Sequence, residues 1–420
     1  METPVSAIGG FEDWPGFIRS SPGYVGHSPA SNKLAGLLGV PALPPSAPET
    51  SVQSVRVVDG VRITELRWQL PFGPPTTGYL AVPTKARGTL PGLLWLHCHA
   101  GNKWLGCERI LDLGPGTQSE AATLQENLYA GQAPANALAK AGFAVLTHDA
   151  FSWGSRRFVL DPAPQRTARA LEARRAAWTA EGTTPTEAMT YDAAAADHEN
   201  TVAKAAGMLG TSYAGMVAFE DLTALAILRS VPRVNPARIG TGGFSGGGGR
   251  ALLLSALDPD IKACVVACMM TTISALFPFH LDYHSWLMNT PGLAAEFDWP
   301  DLAALAPATR FLVQYATSDP LFPLAGMQDA DTALRRVLEN PGQYRAQWHD
   351  SGHVFDRALL DSARSHLLEV LRPPAGRSPA KGANPPVATP AVTTPAVTHP
   401  ASAKPAAATT SPETAFSPRV

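Results

Sequence analysis

Arg238-Ile239-Gly240-Thr241-Gly242-Gly243-Phe244-Ser245-Gly246-Gly247 is the stretch on which the reading of this chain turns. Its second half, Gly243-Phe244-Ser245-Gly246-Gly247, matches G-x-S-x-G. In that pattern a serine sits on a strained turn from strand to helix, with its Oγ lifted above a sheet. Side chains two residues to either side would strike the neighbouring strand and helix, so both positions call for glycine. The motif needs a strand before it and a helix after it. The apolar run 238–244 supplies the first and the segment 250–257 the second. A rival reading takes Gly240-Thr241-Gly242 as the opening of a dinucleotide fingerprint, with Asp260 about twenty residues on. It fails because the third glycine would fall at Ser245, and because the strand comes late in the chain rather than opening a fresh βαβ half.

Outward from this turn, buried strands alternate with helices. Continuous apolar runs at 93–97, 144–147, 263–268, 311–315 and 344–348 read as strands. Segments 121–141, 213–229 and 357–371 read as helices. Such alternation implies a mostly parallel sheet covered on both faces, an α/β fold. The opening differs. Runs 55–58 and 61–70, joined by Asp59-Gly60, form a strong hairpin signal, and 78–82 is a third strand. Two stretches stand outside the alternation, 153–209 and the aromatic-rich 270–300; insertions of this kind are expected to roof a site at the strands' carboxyl ends. Proline marks the boundaries. Of 39 prolines, 11 fall from 373 on, where an Ala/Thr/Val filler carries Pro390, Pro395, Pro400 and Pro405 at a five-residue period. That segment, 373–420, reads as a disordered tail, and 1–50, with a helix candidate near 32–38, as an irregular arm. The body is therefore 51–372.

A serine nucleophile needs a base and a group that orients the base. On such a sheet the chain order is Ser, then acid, then His. Asp319 directly follows strand 311–315, and His353 lies in a Gly352-His353-Val354-Phe355 loop beyond strand 344–348. His349 is the alternative base and Asp350 the fallback acid, though Asp350 lies only three residues from His353 on one loop. An oxyanion hole takes two backbone N–H donors. Gly246 supplies one; the loop after strand 93–97 supplies the other, at His99 or at Ala100.

These residues carry a resemblance. The body resembles the α/β-hydrolase superfamily, and within it the dienelactone-hydrolase and acetyl-xylan-esterase-like branch. The matching pieces are His97-x-His99-x-Gly101 with Lys103 and Gly106, Asp149-Ala150-Phe151 with Gly154 and Arg156, the glycine-flanked Ser245, Asp319-Pro320-Leu321-Phe322-Pro323, and Gly352-His353-x-Phe355. Position 98 is Cys where a His-Gly start is usual, and the nucleophile is Ser where dienelactone hydrolases use Cys. The resemblance implies hydrolysis of small carboxylic esters through Ser245, His353 and Asp319, with no cofactor. Two other readings share the sequence: a non-catalytic hydrolase-fold scaffold, and the same triad used for acyl transfer or carbon–carbon hydrolysis. Trp104, Phe151, Arg156 and Trp286, near strand ends or in the aromatic insertion, are candidates to contact the substrate. Arg156 and Arg157 would either meet a carboxylate or form a structural ion pair.

Composition excludes other classes. Lys+Arg 33 against Asp+Glu 35 leaves a net charge of −2, without the basic excess of a nucleic-acid or anionic-membrane binder. No run approaches the ~18 apolar residues of a membrane span, and the N-terminus has no signal-peptide pattern. Four cysteines are too few for a disulfide scaffold, so a reducing, cytoplasmic setting is expected. Cys264 and Cys268 lie in an apolar strand and read as packing residues. No metal site is expected. His280 and His284 lack the Glu of H-E-x-x-H, and the grouping of His97, His99, Cys98 and Cys107 places alternate strand residues on opposite faces.

Overall fold

The two-residue turn at Asp59 (φ 44°) and Gly60 (φ 77°) sets the first register, pairing Val58 with Val61. Both central residues of a type I′ hairpin turn need positive φ, which Asp-Gly accepts readily. In a computed structural model of the chain, which describes residues 5–372, this hairpin starts a nine-stranded sheet. Two helices precede it, α1 (Trp14–Ser20) and α2 (Pro29–Leu38). Then come β1 (Ser51–Val58), β2 (Val61–Trp68), β3 (Thr76–Pro83) and β4 (Leu90–Leu96). Helices α3 (Ser119–Tyr129) and α4 (Pro134–Lys140) lead to β5 (Ala144–His148). Three helices follow, α5 (Gln165–Ala180), α6 (Glu187–Leu209) and α7 (Tyr213–Ser230). The remainder is β6 (Val234–Phe244), α8 (Gly246–Leu257), β7 (Ile261–Ala267), β8 (Arg310–Ala316), α9 (Leu324–Val337), β9 (Tyr344–His349) and α10 (Arg357–Leu371).

The strand order is β1-β2-β3-β5-β4-β6-β7-β8-β9. The first three strands and the β3–β5 pair are antiparallel; every pairing from β5–β4 onward is parallel. Alternation along each inner strand divides the core. Leu94 and Leu96 of β4 join Leu222 and Leu225 of α7 and Leu252 of α8 on one face. Leu93 and Trp95 join Leu138 of α4 and Leu359 and Leu367 of α10 on the other. Both faces are covered, so the inner strands are buried along most of their length instead of alternating between buried and exposed.

The structure departs from the sequence reading at three places. The segment 121–141 is two helices, not one. Ala130 adopts a left-handed conformation (φ 49°), Gly131 follows at φ 70°, and Pro134 opens the next helix. Helix α9 has no counterpart in the sequence reading. The segment read as an irregular arm contains two helices, and its Phe11, Trp14, Leu34 and Ala35 are fully buried in the core. Its second helix is tied down by the Leu38 carbonyl, which accepts both the N–H (3.0 Å) and the hydroxyl (2.8 Å) of Ser212 at the start of α7. Tyr24 Oη donates to the Leu257 carbonyl (3.3 Å), and the His27 ring bonds the carbonyl of Leu305 (3.1 Å). The segment 373–420 lies outside the described residues.

Candidate active site

Ser245 sits between β6 and α8 at φ 55° and ψ −129°, a strained conformation for a residue with a side chain. The turn holds because its neighbours leave no alternative. Ser245 N–H donates to the Ala267 carbonyl (2.8 Å), and the Ser245 carbonyl accepts the N–H of Gly248 (2.8 Å). A Cβ at Gly243 would stand 2.5 Å from the Leu96 carbonyl oxygen, and one at Gly247 only 2.2 Å from it. The strand–turn–helix contact thus forbids side chains at both flanking positions.

His353 reaches this serine from the loop after β9. Its Nε2 lies 2.9 Å from Ser245 Oγ, and its Nδ1 lies 2.6 Å from Asp319 Oδ2. Asp319 follows β8 and is buried; its other oxygen accepts the N–H of Leu321 (2.9 Å). The His353 ring packs on Phe244, with centroids 4.6 Å apart. Two backbone bonds brace the two loops against each other, Thr317 N–H to the His349 carbonyl (2.8 Å) and Ser318 N–H to the Ser351 carbonyl (3.1 Å). His349, the alternative base, offers this carbonyl, and among the described residues its ring makes no hydrogen bond to Ser245 or Asp319. Asp350, the fallback acid, is exposed and accepts from Thr317 Oγ1 (3.4 Å).

The loop after β4 approaches the same serine. A Cβ at Gly246 would lie 3.1 Å from the His99 backbone nitrogen. Among the described residues, neither the Gly246 nor the His99 backbone N–H has a protein acceptor. Ala100 (φ 57°) and Gly101 (φ 61°) turn the chain away directly afterwards. The cavity beside Ser245 has a volume of about 290 Å³, with Phe244, Leu287, Met288 and Phe322 among its walls. A larger space of about 850 Å³ adjoins it and shares His99, Tyr283, His284, Ser285 and Met288.

The candidate substrate residues separate. Trp286 lines the larger space, and its indole N–H donates to Asn200 Oδ1 (3.0 Å). The other three are elsewhere. Phe151 is fully buried in an aromatic cluster with Phe11, Trp14 and Tyr213. Arg156 is fully buried; it donates to Glu220 Oε1 from Nε (3.1 Å) and Nη2 (2.6 Å) and to the carbonyls of Phe72 and Pro74. It is the structural ion pair, not a carboxylate receptor. Trp104 lies under the Arg157 guanidinium, 4.1 Å from ring centroid to carbon, and faces a separate cavity bounded by α5 and α6. Position near a strand end carried no information about which way these side chains turn.

Sequence reasoning missed a buried polar cluster behind the β4 loop. Helix α6 presents Asp192 and Glu199, seven residues apart and hence on one face. Asp192 accepts the N–H groups of Lys103 (2.7 Å) and Trp104 (2.8 Å) and the amide of Asn102 (2.7 Å). Glu199 accepts from Lys103 Nζ (2.5 Å), His99 Nε2 (3.2 Å) and the N–H of Trp286 (2.8 Å). Burial pushes the Glu199 carboxyl up, but Lys103 beside it, with the His99 bond, outweighs burial and holds it well below the usual carboxylate range. Helix α6 carries four acids, Glu187, Asp192, Asp197 and Glu199, and no local signal in the sequence singles out the two that meet the β4 loop.

Among the described residues, Cys107, Glu108 and Asp149 bring three potential ligand atoms within 4.8 Å of one another; the His97 and His99 rings are not in that group. Asp149 is occupied by the N–H groups of Cys107 (2.8 Å) and Ser155 (2.7 Å). Burial, then repulsion from Asp149, pushes the Glu108 carboxyl from its ordinary 4.5 up to about 7. A raised carboxyl favours the folded state fully below its unfolded value and loses that contribution as pH climbs through the folded one. Between pH 5 and 8 the protein should therefore lose stability relative to Glu108→Gln. Thermal melts of both across that range check this; parallel curves would refute it.

The fold and this geometry define a class: the chain has the α/β-hydrolase fold. Solved structures that it resembles include proteins described as esterases. It aligns with a "putative acetyl xylan esterase" from Bacteroides fragilis NCTC 9343 at TM-score 0.53 and 16% identity, over 80% of this chain and 81% of that one. A glucuronoyl esterase from Solibacter usitatus aligns at TM-score 0.51 and 14% identity, over 87% of this chain and 97% of that one. In sequence, the chain is 26% identical over 295 residues to "Putative hydrolase YtaP" of Bacillus subtilis (strain 168), covering 69% of this chain and 82% of that protein. No protein-family model matches the chain.

Proposed function

We propose that the protein is a serine esterase that cleaves small carboxylic esters through an acyl-enzyme intermediate. One observation carries the reading: Ser245 Oγ, the two His353 nitrogens and Asp319 form an unbroken hydrogen-bonded chain, with the serine held on a strained turn. His353 Nε2 takes the Ser245 proton as Oγ attacks the ester carbonyl. Asp319, bound to Nδ1–H, holds the imidazole in the tautomer that leaves Nε2 free to accept. The backbone N–H groups of Gly246 and His99 receive the charge that develops on the carbonyl oxygen. The tetrahedral intermediate collapses, and His353 returns the proton to the departing alcohol. Water then adds to the acyl-enzyme, again losing a proton to His353, and releases the acid and the free serine.

The carbonyl sits beside Ser245 in the smaller, mostly apolar cavity, and the aromatic-walled space next to it takes the bulk of the substrate. The segment 51–372 bears the chemistry, with 153–209 and 270–300 walling the site. No described helix is long and apolar enough to cross a membrane. The four cysteines are unpaired and buried, which supports a reducing, cytoplasmic setting.

A fluorophosphonate probe tests the reading directly. The wild type should be labelled at Ser245, in competition with chromogenic esters, and should hydrolyse some member of a panel of short acyl esters, acetylated sugars and lactones. A non-catalytic scaffold would take no label. Hydrolysis measured with and without an added alcohol acceptor separates ester cleavage from acyl transfer.

A further inference from the structure

The loop that carries the His99 N–H has little to fix it on its own. It follows β4, turns through two residues of positive φ, and has left the sheet's hydrogen bonding by His97. Its position is set from two sides. Arg109, fully buried, donates to the carbonyls of Cys98 (3.0 Å), His99 (3.1 Å) and Asn102 (2.9 Å). Opposite, the ionised Glu199 of α6 holds the His99 ring. That ring has one consistent proton arrangement. Nδ1 accepts the Gly101 N–H (3.0 Å), so Nε2 carries the hydrogen and donates to Glu199 (3.2 Å). The ring stands edge-on to Trp153, centroids 5.2 Å apart, which limits it to this orientation. The second Glu199 oxygen accepts the Trp286 N–H (2.8 Å), drawing the aromatic segment against the same loop.

We propose that Glu199 is a positioning residue for the esterase reaction, fixing the His99 backbone N–H toward the reacting carbonyl oxygen through the His99 ring. The inference rests on the esterase reading. Glu199 itself lies one side chain away from the serine and takes no proton in the reaction. Lys103 supplies the buried counter-charge that keeps the carboxylate ionised, and Tyr213 holds Lys103 Nζ from behind (2.8 Å). An oxyanion donor is worth about 10²–10³ in kcat when removed outright. A donor displaced but not deleted should forfeit less.

The test uses the full chain and the best chromogenic ester found for the wild type. Glu199→Gln keeps the shape and one acceptor but removes the charge. His99→Ala removes the ring and keeps the backbone N–H. Each should lower kcat about 10- to 100-fold with KM changed less than about threefold, because the lost interaction is made in the transition state. Both should still be labelled at Ser245, which reports an intact fold and nucleophile. The double variant should be no slower than about twice the slower single one, since both lesions act through one group. Unchanged kcat in both single variants overturns the proposal, as do effects that multiply in the double variant, or a loss confined to KM. A wild type that hydrolyses no ester and takes no probe refutes the esterase reading beneath it, a different and distinguishable failure.

Discussion

Ser245→Ala should lower kcat/KM toward esters by about 10⁴- to 10⁶-fold, the range seen when a triad nucleophile is removed. The loss is this large because no neighbouring group replaces Oγ. His353 Nε2 is 2.9 Å from it, and of the wall residues that carry a nucleophilic atom, Cys98, Tyr283 and Ser285, none is hydrogen-bonded to His353 among the described residues. The fold should be unharmed. Alanine accepts the same backbone position with less bulk, and the turn is secured by main-chain bonds to Ala267 and Gly248 that do not involve the hydroxyl. The measurement is steady-state kinetics on active-site-titrated wild type beside the variant, with thermal melts on both. Residual turnover above about one part in a thousand that follows the variant through purification would sink the mechanism.

Asp221→Ala should destabilise the fold by about 3–5 kcal/mol, the usual result of stranding a buried charge. Asp221 is buried on α7 and binds Arg250 of α8 through two bonds, Nε to Oδ2 (3.0 Å) and Nη2 to Oδ1 (2.6 Å). It also accepts from His148 Nε2 (2.9 Å), at the end of β5. Burial alone would raise its carboxyl, but Arg250 and His148 hold it below its ordinary value. Removing the carboxylate leaves a guanidinium with 2% side-chain exposure and a single remaining acceptor, the His97 carbonyl (3.2 Å). A fall of about 4–7 °C in the thermal midpoint corresponds to this loss for a body of this size. Adding Arg250→Met to Asp221→Leu should recover part of it, because an apolar pair avoids the unpaired charge. A midpoint within 1 °C of wild type for Asp221→Ala would mean the network is not under electrostatic load.

How much could be read from sequence depends on the range of the interactions involved. The turn at Ser245 was legible because its steric demand is met within five residues. The inner parallel strands were legible because burial on both faces leaves apolar runs, and β1 and β2 because Asp59-Gly60 marks the turn between them. Asp319 and His353 were legible through loop order alone, and the structure brings both to Ser245. The break at Ala130 was hidden, since alanine favours helix and nothing in its side chain signals the left-handed conformation that ends α3. Glu199 and Asp192 were hidden because their partners lie about a hundred residues away in the β4 loop. Phe151 and Arg156 were misjudged as substrate contacts because a strand end has two sides. Theirs faces Phe11, Phe72 and Glu220.

The docking of residues 5–50 has a consequence for how the chain is made. Phe11 and Trp14 pack on Phe72 and Phe151, while the helix that bears Leu34 and Leu38 packs on α7 and α8, its Leu38 carbonyl meeting Ser212 174 residues further along the chain. At about 5–20 residues per second, that interval is roughly 9–35 s. Throughout it the apolar strip of α2, with Leu34 and Leu38, lacks its α7 and α8 cover. Trigger-type holding chaperones recognise such strips, so yield in a cell-free system should depend on them more than the stability of the finished protein would suggest.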